Sequence, residues 1–285
     1  MVPQNNHSKI MKRTLLTLLP LLLIGGICLL LLPACAEATA GEKTEMTEVE
    51  LPSLEGKKVL MVYGGWEGHK PKEYTEKVAK WLVEAGAEVI SSDSLGIYKD
   101  SALMSTIDVI VPSWTMGQIS KEASAGLLKA IKSGTGVAGA HGGMGDSFRN
   151  NTEYQYMVGG QWVSHPGGQI QHEVNIIDQT DPVVAGIQDF SLKTEQYYML
   201  VDPNVKMLAS TRFSGEHHSW IEGAVMPVVW KKYYGEGRVF YISLGHAPEV
   251  FDVAEAKEIL MRGIRWASGS KYLPKESWVS PVYAQ

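Results

Sequence analysis

The chain has 285 residues, two cysteines and a formal net charge of −5, with 45% hydrophobic and 20% charged residues. This composition is typical of a globular protein and excludes disorder or a fibrous repeat as a description of the whole chain. The negative charge argues against a broad basic surface, so we expect no nucleic-acid partner. Because Cys28 and Cys35 both lie near the N-terminus, residues 36–285 contain no disulfide, thiolate metal site or cysteine nucleophile.

The first 35 residues have the layout of a secretory signal. Three basic residues precede an apolar run over residues 15–33. The sequence LPAC at 32–35 resembles a bacterial lipobox, which predicts lipidation of Cys35 and a mature net charge of −8. Cleavage after Ala38 or Ala40, or an uncleaved membrane anchor, are the alternatives. Each interpretation places the folded part outside the cytoplasm, in the periplasm or at the cell surface, and the favoured one is a membrane-anchored lipoprotein.

The remaining chain divides into three parts. Residues 36–55 are small and acidic, which predicts a linker. Residues 56–269 are predicted to form one domain, and residues 270–285, with two prolines, a peripheral tail.

Short apolar runs alternate with amphipathic segments in the first half of the domain. We predict strands over residues 57–63, 87–91, 107–112 and 136–140, and helices over 71–85 and 119–132. Pro71 suits the first turn of a helix, and Gly86 suits the position after its end. Strand–helix alternation predicts a parallel sheet with helices on both faces.

The second half is less regular. Strands are predicted over residues 172–177 and 205–211, an antiparallel hairpin over 226–232 and 238–244, and a final helix over 253–267. The predicted fold class is therefore α/β with three layers, a mostly parallel sheet and a C-terminal antiparallel hairpin.

Glycine and histidine follow three of the predicted strands. The segments are GGWEGH at 64–69, HGG at 141–143 and GH at 245–246, and Asp146 follows shortly after the second. Ligands bind outside the carboxyl ends of strands in open α/β sheets. Glycine permits close backbone approach, and histidine supplies an acid, a base or a metal ligand. A site formed by His69, His141, Asp146 and His246 is thus predicted; the alternatives are a helix cap for His69 and a turn or cap for Asp146.

The sequence GAHGG at 139–143 matches the glycine-flanked turn on which α/β hydrolases carry their nucleophile, with histidine in place of serine or cysteine. Acyl transfer by the usual covalent route needs that hydroxyl or thiol. The pattern therefore disfavours an amidotransferase or a serine or cysteine hydrolase.

Five motifs carry a family resemblance: GGWEGH at 64–69, GAHGGMGDSF at 139–148, GGQWVSHP at 159–166, EQYY at 195–198 and PVVWKKYYGEGRVFYISLGH at 227–246. Over residues 57–267 the chain resembles the trehalose-utilization (ThuA-like) family, a branch of the class I glutamine amidotransferase-like, flavodoxin-like fold. The resemblance implies a small-molecule carbohydrate partner, in pathways that use trehalose, sucrose and related glycosides, including 3-keto sugars.

The resemblance also implies which residues act. It assigns functional positions to four histidines and two acidic residues, namely His69, His141, His165, His246, Asp146 and Glu195, and it places Tyr197 and Arg238 in matching motifs as substrate-binding residues. A turn residue is the alternative for His165, and a lysine pair for Glu195. Trp66 and Trp162 offer aromatic faces to a sugar, whereas Trp230 is expected in the core.

Several imidazoles and a carboxylate without cysteine suit Zn²⁺, Mn²⁺ or Fe²⁺. We expect His141, His165 and His246 as ligands of a divalent metal, and His141, His69, Glu195 and Asp146 in catalysis. Two hypotheses remain open: an extracytoplasmic enzyme (a hydrolase, lyase or isomerase) acting on a glycoside or keto-sugar, and a non-catalytic carbohydrate-binding or accessory lipoprotein that keeps the cleft.

Overall fold

The computed structural model of the chain describes residues 50–278. The strands are β1 (Lys58–Gly65), β2 (Glu88–Ser92), β3 (Val109–Thr115), β4 (Gly136–Ala140), β5 (Gly160–Ser164), β6 (Gln169–Ile176), β7 (Phe190–Glu195), β8 (Tyr198–Val201), β9 (Lys206–Arg212), β10 (Val225–Tyr234) and β11 (Gly237–Ile242). The helices are α1 (Pro71–Glu84), α2 (Ser101–Thr106), α3 (Lys121–Lys132), α4 (Gly142–Gly145), α5 (Thr152–Val158) and α6 (Ala254–Ser268). The predicted signal sequence with Cys35, and residues 279–285 of the predicted tail, lie outside the described residues.

Within residues 50–278, nine strands form one sheet in the order β2-β1-β3-β4-β11-β10-β9-β6-β7. The first five run parallel, and the others join by antiparallel pairing, so that only β10 and β6 run against the rest. Strands β5 and β8 form a separate antiparallel pair. The carboxyl ends of β1, β3, β4 and β11 therefore lie along one edge of the sheet. The topological switch point of the sheet, where the strand order reverses, lies between β1 and β3.

The sheet is covered on both faces because its central strands have long apolar stretches, such as Val59–Val62 in β1. In β1, Val59 and Met61 belong to the core shared with α1 and α6, whereas Leu60 and Val62 belong to the core shared with α2, α3 and α5. Alternating side chains of a strand point to opposite faces, so a strand that is apolar throughout must be buried on both. This confirms the predicted three-layer α/β class.

Residues that favour helix ends mark the bounds of the helices. Helix α1 begins at Pro71, and α3 follows Ser120, whose side chain accepts a hydrogen bond from the Ala123 amide at 3.2 Å. Helix α5 begins after Asn151, which caps the Tyr154 amide at 3.1 Å, and Gly159 ends it with φ +83°.

Packing extends on both sides of the predicted domain. Leu51 and Leu54 are buried, and the Arg265 guanidinium donates to the backbone carbonyls of residues 51 and 52, so the last residues of the predicted linker are docked against α6. In the tail, the Glu276 carboxylate accepts a hydrogen bond from buried Lys231 at 2.8 Å. Within residues 50–278, no helix combines the length and apolar character required to cross a bilayer.

Candidate functional site

The turn after β4 is built around a strained histidine. His141 has φ +50° and follows β4 directly, and its amide donates to the carbonyl of Ile242 in β11 at 2.7 Å. The glycines that follow allow strand β3 and the segment after β1 to approach: a Cβ at Gly142 would lie 2.5 Å from Cε1 of His69, and one at Gly143 would lie 2.9 Å from Cα of Ser113. The glycine-flanked turn predicted from GAHGG, here called the elbow, is therefore present, and it directs the imidazole of His141 to the edge of the sheet.

Glu195, the last residue of β7, connects the histidines. Its Oε2 atom lies 3.0 Å from Nε2 of His141, and its Oε1 atom lies 2.9 Å from Nδ1 of His246 and 3.6 Å from Nε2 of His165. Burial by itself would raise the pKa of the Glu195 carboxyl. The hydrogen bonds and charges of His141 and His246 outweigh this effect and lower the pKa well below its usual range. The side chain is thus an ionised carboxylate with only 7% of its surface exposed.

His69 completes the group from the β1 side. Its Nδ1 atom lies 2.8 Å from Oγ1 of Thr115, the last residue of β3, and its ring centroid lies 4.7 Å from that of His141 and 5.2 Å from that of His246. Burial, assisted by the neighbouring His141, lowers the pKa of His69 to about 3. The ring is therefore neutral at physiological pH and available as a ligand.

The hydrogen bonds of His141 determine its tautomer. Its Nδ1 atom lies 2.7 Å from the carbonyl oxygen of Ser243, which can only accept, so Nδ1 carries the proton. Burial lowers the pKa of His141, although the hydrogen bond and charge of Glu195 oppose this effect. In the neutral form of the ring, Nε2 presents a lone pair. That lone pair faces the Tyr197 hydroxyl, which can donate to it at 2.7 Å, and an ionised oxygen of Glu195 at 3.0 Å. A lone pair and a carboxylate oxygen at this distance repel each other unless a cation or a proton lies between them.

Four side chains form a group that could hold a metal ion, with donor atoms within 4.8 Å of one another: His69, His141, Glu195 and His246. Ligands of a tetrahedral zinc ion stand roughly 3.3 Å apart, given bonds of about 2.0–2.1 Å. The 2.9 and 3.0 Å separations around Glu195 are close to that value. We call this group the His/Glu cluster.

The predicted ligand set is thus partly matched. His141 and His246 belong to the cluster, and so do His69 and Glu195, which the sequence analysis assigned to catalysis. His165 lies beside Glu195 but outside the group of four, and 35% of its side chain is exposed.

Two predicted substrate-binding aromatics also lie here. Tyr197 contacts His141, with ring centroids 4.0 Å apart, and Trp66 lies edge-on to His69 with centroids 4.7 Å apart and 45% of its surface exposed. Trp162 packs further out, 5.6 Å from the ring of His165. Trp230 is fully buried, as expected of a core residue.

Two predicted site residues are engaged elsewhere. The Asp146 carboxylate receives two hydrogen bonds from Arg149, which occupy both of its oxygens, and it is not part of the His/Glu cluster. Arg238 lies at the start of β11, at the end of that strand opposite His246, and its guanidinium donates to the carbonyls of Trp266 and Pro274. Arg238 therefore fastens the C-terminal segment, and we leave it out of the site.

Sequence reasoning missed three residues that support the site: Thr115, Ser243 and Arg149. The first two had a usable signal, since each lies at the end of a strand that leads to this edge. All four non-glycine residues with positive φ among residues 50–278 follow β1, β3 or β4, namely Lys70, Met116, His141 and Phe148. Such conformations cost about 1–3 kcal/mol each and concentrate at functional sites.

Comparison with known proteins agrees with this architecture. A family model described as ThuA, trehalose utilisation, matches residues 58–267. The chain belongs to the ThuA family. The predicted family and its extent are thereby confirmed.

Solved structures show the same fold at low sequence identity. A ThuA-like protein of Bacteroides uniformis superposes with a TM-score of 0.65 at 17% identity, over 76% of this chain and 94% of the other. One from Parabacteroides merdae gives 0.62 at 19% identity, over 78% and 93%. The cytoplasmic protein STM1381 of Salmonella typhimurium gives 0.53 at 11% identity, over 76% and 100%. No curated protein matches this ThuA-family chain significantly.

Proposed function

We propose that this ThuA-family protein is an enzyme that acts on a glycoside or keto-sugar, with a divalent metal ion held by the His/Glu cluster. The observation that carries the proposal is the convergence of four side chains, with donor atoms within 4.8 Å of one another, in the His/Glu cluster. His69, His141, Glu195 and His246 would hold a divalent cation at this point as its ligands. The family description, trehalose utilisation, supports a sugar as substrate.

The donor set fits such an ion. Three imidazoles and one carboxylate are typical ligands of Zn²⁺, Mn²⁺ and Fe²⁺. A metal-binding histidine usually donates its other ring N–H to a carbonyl or carboxylate, which fixes its orientation. His141 makes that hydrogen bond to Ser243, and His69 is oriented in the same way through Thr115.

A bound ion would act as a Lewis acid that polarises a carbonyl or hydroxyl of the sugar. The protein supplies the rest. His165 is the histidine beside Glu195 that lies outside the group of four, and its partial exposure gives it access to substrate. In a keto-sugar the ketone acidifies the adjacent C–H, and His165 is placed to accept that proton as a general base. Tyr197 orients His141 by stacking on its ring, and Trp66 offers an exposed ring against which a sugar can stack.

The experiment compares the purified full-length chain with its His141→Ala variant. Metal content is measured by mass spectrometry, and product formation is followed from 3-keto-trehalose. We expect about one divalent ion per wild-type chain and turnover that a chelator abolishes; the variant should lose both. His218→Ala, in an exposed loop, is the matched control and should keep both.

Three results would contradict the proposal. They are turnover by His141→Ala at the wild-type rate, turnover that resists a chelator, and sugar binding without turnover by the wild type. The last of these would favour the accessory carbohydrate-binding protein.

We also propose that the protein acts outside the cytoplasm as a lipoprotein. The support is the signal-like sequence before Cys35. Mass spectrometry of the mature N-terminus tests it: a lipidated Cys35 is expected, and an unprocessed Met1 would contradict the proposal.

A further inference from the structure

The chain enters the described domain on the side of the sheet opposite the His/Glu cluster. Arg265, near the end of α6, donates to the carbonyls of residues 51 and 52, and a Cβ at Gly136, the first residue of β4, would meet the Ala267 carbonyl. The end of α6 and the chain entry therefore lie beside the starts of the parallel strands. We call this side of the sheet the amino edge, and β1 leads from it towards the cluster over eight residues, about 26 Å.

Four lysines lie at the amino edge, and none of them forms an ion pair with a carboxylate among residues 50–278. Lys57 directly precedes β1, Lys132 is the last residue of α3 with Lys129 one turn before it, and Lys271 follows α6. Lys271 packs on the turn after α3, since a Cβ at Gly134 would lie 3.7 Å from Cγ of Lys271. The four ammonium groups therefore give this part of the surface a positive charge.

Apolar side chains are exposed among these lysines. Tyr272 is 59% exposed and Leu273 is 43% exposed, and both amides donate to the Gly269 carbonyl at 3.0 Å, which holds them in a turn. The Tyr272 hydroxyl donates to the buried carboxylate of Asp108 at 2.6 Å, and Nζ of Lys57 lies 3.3 Å from the centroid of the Tyr272 ring. We call the four lysines together with Tyr272 and Leu273 the lysine face. Exposed aromatic and aliphatic side chains set among lysines are typical of surfaces that lie at a membrane–water interface.

A cavity of about 410 Å³ opens into the lysine face, and both Lys129 and Lys271 line it. Its lining also contains a third lysine, Lys99, one carboxylate, Glu122, and the buried side chain of Met104, so the cavity is apolar in part and positively charged. Nζ of Lys271 donates to two backbone carbonyls near the end of α2, at 3.1 and 2.6 Å, which fixes its position before any ligand binds. Basic pockets at a membrane surface bind the head groups of anionic phospholipids.

The net charge of the whole chain, −5, does not decide the interaction at this face. At physiological ionic strength charges are screened beyond about 8 Å, so the residues close to a bilayer determine the attraction. Two carboxylates beside the lysines are engaged: Glu236 pairs with Lys275 at 2.9 Å, and Asp108 accepts hydrogen bonds from the Tyr272 hydroxyl and the Lys58 amide. Three further exposed carboxylates gather around β2 and the end of α1, namely Glu55, Glu84 and Glu88. The positive surface is therefore confined to the end of α3 and the segment after α6.

We propose that the lysine face docks on the anionic phospholipid surface of the membrane that holds the N-terminus. The inference rests on the proposed lipid anchor at Cys35. Fifteen residue steps join Cys35 to Glu50, and they span at most about 54 Å, close to the diameter of a domain of this size. The tether thus ends at the amino edge and keeps it within reach of the bilayer, where the lysines contact lipid phosphates and Tyr272 and Leu273 enter the head-group layer. The His/Glu cluster, at the opposite edge, then opens away from the membrane, towards water-soluble substrate.

The test places the full chain on two kinds of vesicle, neutral phosphatidylcholine and phosphatidylcholine mixed with phosphatidylglycerol, and measures hydrogen–deuterium exchange. The anchor should keep the chain on both. On the anionic vesicles alone, the amides of residues 269–273 should exchange more slowly, and salt at about 1 M should remove the difference because it shortens the screening length to about 3 Å. A lysine near an anionic surface strengthens association about fivefold, so the double variant Lys129→Gln/Lys132→Gln should weaken docking about 25-fold and lose most of the slowing.

Lys72→Gln/Lys121→Gln is the matched control, because these lysines lie in the first turns of α1 and α3, on the side of the cluster. It removes the same charge and should keep the slowing. Equal exchange on both kinds of vesicle, or slowing in Lys129→Gln/Lys132→Gln as strong as in the wild type, would overturn the inference and leave the metal site standing. A chain that leaves neutral vesicles yet is protected at residues 269–273 on anionic ones would refute the anchor and support the lysine face, and a chain that binds neither would overturn both.

Discussion

Substituting alanine for Gly142 adds one carbon atom at the point where His141 and His69 meet. The new Cβ would lie 2.5 Å from Cε1 and 2.8 Å from Nδ1 of His69, and 3.1 Å from Cγ2 of Thr115. Non-bonded carbon atoms are comfortable at about 3.5–4.0 Å, so the imidazole must retreat by about 1 Å. Gly142 itself is helical and does not have positive φ, which means that alanine fits the backbone and the contact alone causes the strain.

The consequences for stability and for metal binding differ in size. Overpacking of this kind costs about 1–3 kcal/mol of unfolding free energy, and loss of the His69–Thr115 hydrogen bond is included in that range. Metal–ligand distances tolerate only about 0.2 Å, so a 1 Å displacement removes His69 from the coordination of an ion. We therefore expect a folded variant with a modestly lowered melting temperature that has lost most of its metal affinity.

Metal content by mass spectrometry and thermal unfolding by circular dichroism are measured on the same samples. Gly96→Ala is the matched control, since Gly96 does not have positive φ and its Cβ would have only the flexible Oγ of Ser94 within 3.4 Å, at 3.1 Å. If Gly142→Ala folds and binds the ion with wild-type affinity, His69 is not a ligand and the inference from its placement is wrong.

Three further predictions concern other parts of the molecule. Glu195→Gln removes the carboxylate of the His/Glu cluster, and metal affinity in competition with a chelator should fall at least about 10-fold; an unchanged affinity would speak against that ligand set. Burial lowers the pKa of His172, and this effect outweighs its hydrogen bond to the Ile170 carbonyl. Below about pH 6.5 the unfolded chain therefore binds a proton that the folded protein does not, so the free energy of unfolding decreases as the pH is lowered. His172→Gln should flatten urea-derived stability between pH 5 and 6.5 by up to about 1.4 kcal/mol per pH unit, and an equal slope in both proteins would refute this. Lys231 is fully buried and pairs with Asp181 at 2.8 Å, and Lys206 also pairs with Asp181, so Asp181 keeps one partner in Lys231→Met. That variant should therefore cost about 1.5–3 kcal/mol in urea unfolding, and a loss below about 1 kcal/mol would contradict the pairing.

The first half of the fold could be predicted from sequence because its signals are local. Strand β4 was predicted with its exact bounds, and α1 and β1 to within a residue or two, since each is an apolar run or a helical stripe ended by glycine. The hairpin of β10 and β11 is marked by its Gly-Glu-Gly turn. Its place in the middle of the sheet, with β11 parallel to β4, could not be predicted because pairing between distant strands leaves no local pattern.

The second half was harder for physical reasons. Strands β5 and β7 were missed because they carry polar residues such as Ser191 and Lys193, and β8 because it has only four residues; tertiary pairing outweighs such weak local signals. Glu195 ends β7, so only a family resemblance could place it beside His141, 54 residues away in the chain. Arg238 lies away from the histidines for a different reason. It stands at the start of β11, the strand that His246 follows, and that position places it at the opposite edge of the sheet.

The elbow after β4 explains why a histidine stands where related architectures carry a nucleophile. The turn holds one side chain rigidly at the carboxyl edge of the sheet, and the same rigidity that orients a nucleophile orients a ligand. Three neighbours confine His141. The Tyr241 hydroxyl donates to the His141 carbonyl at 3.0 Å, and the Ser243 carbonyl accepts a hydrogen bond from the ring. A Cβ added at Gly245 would lie 3.3 Å from the Cβ of His141. The strain at φ +50° is therefore maintained by packing that leaves the ring a single orientation. Since Nε2 in that orientation lies 3.0 Å from Oε2 of Glu195, the turn places the imidazole where it can share a proton with that carboxylate or bind a metal ion beside it.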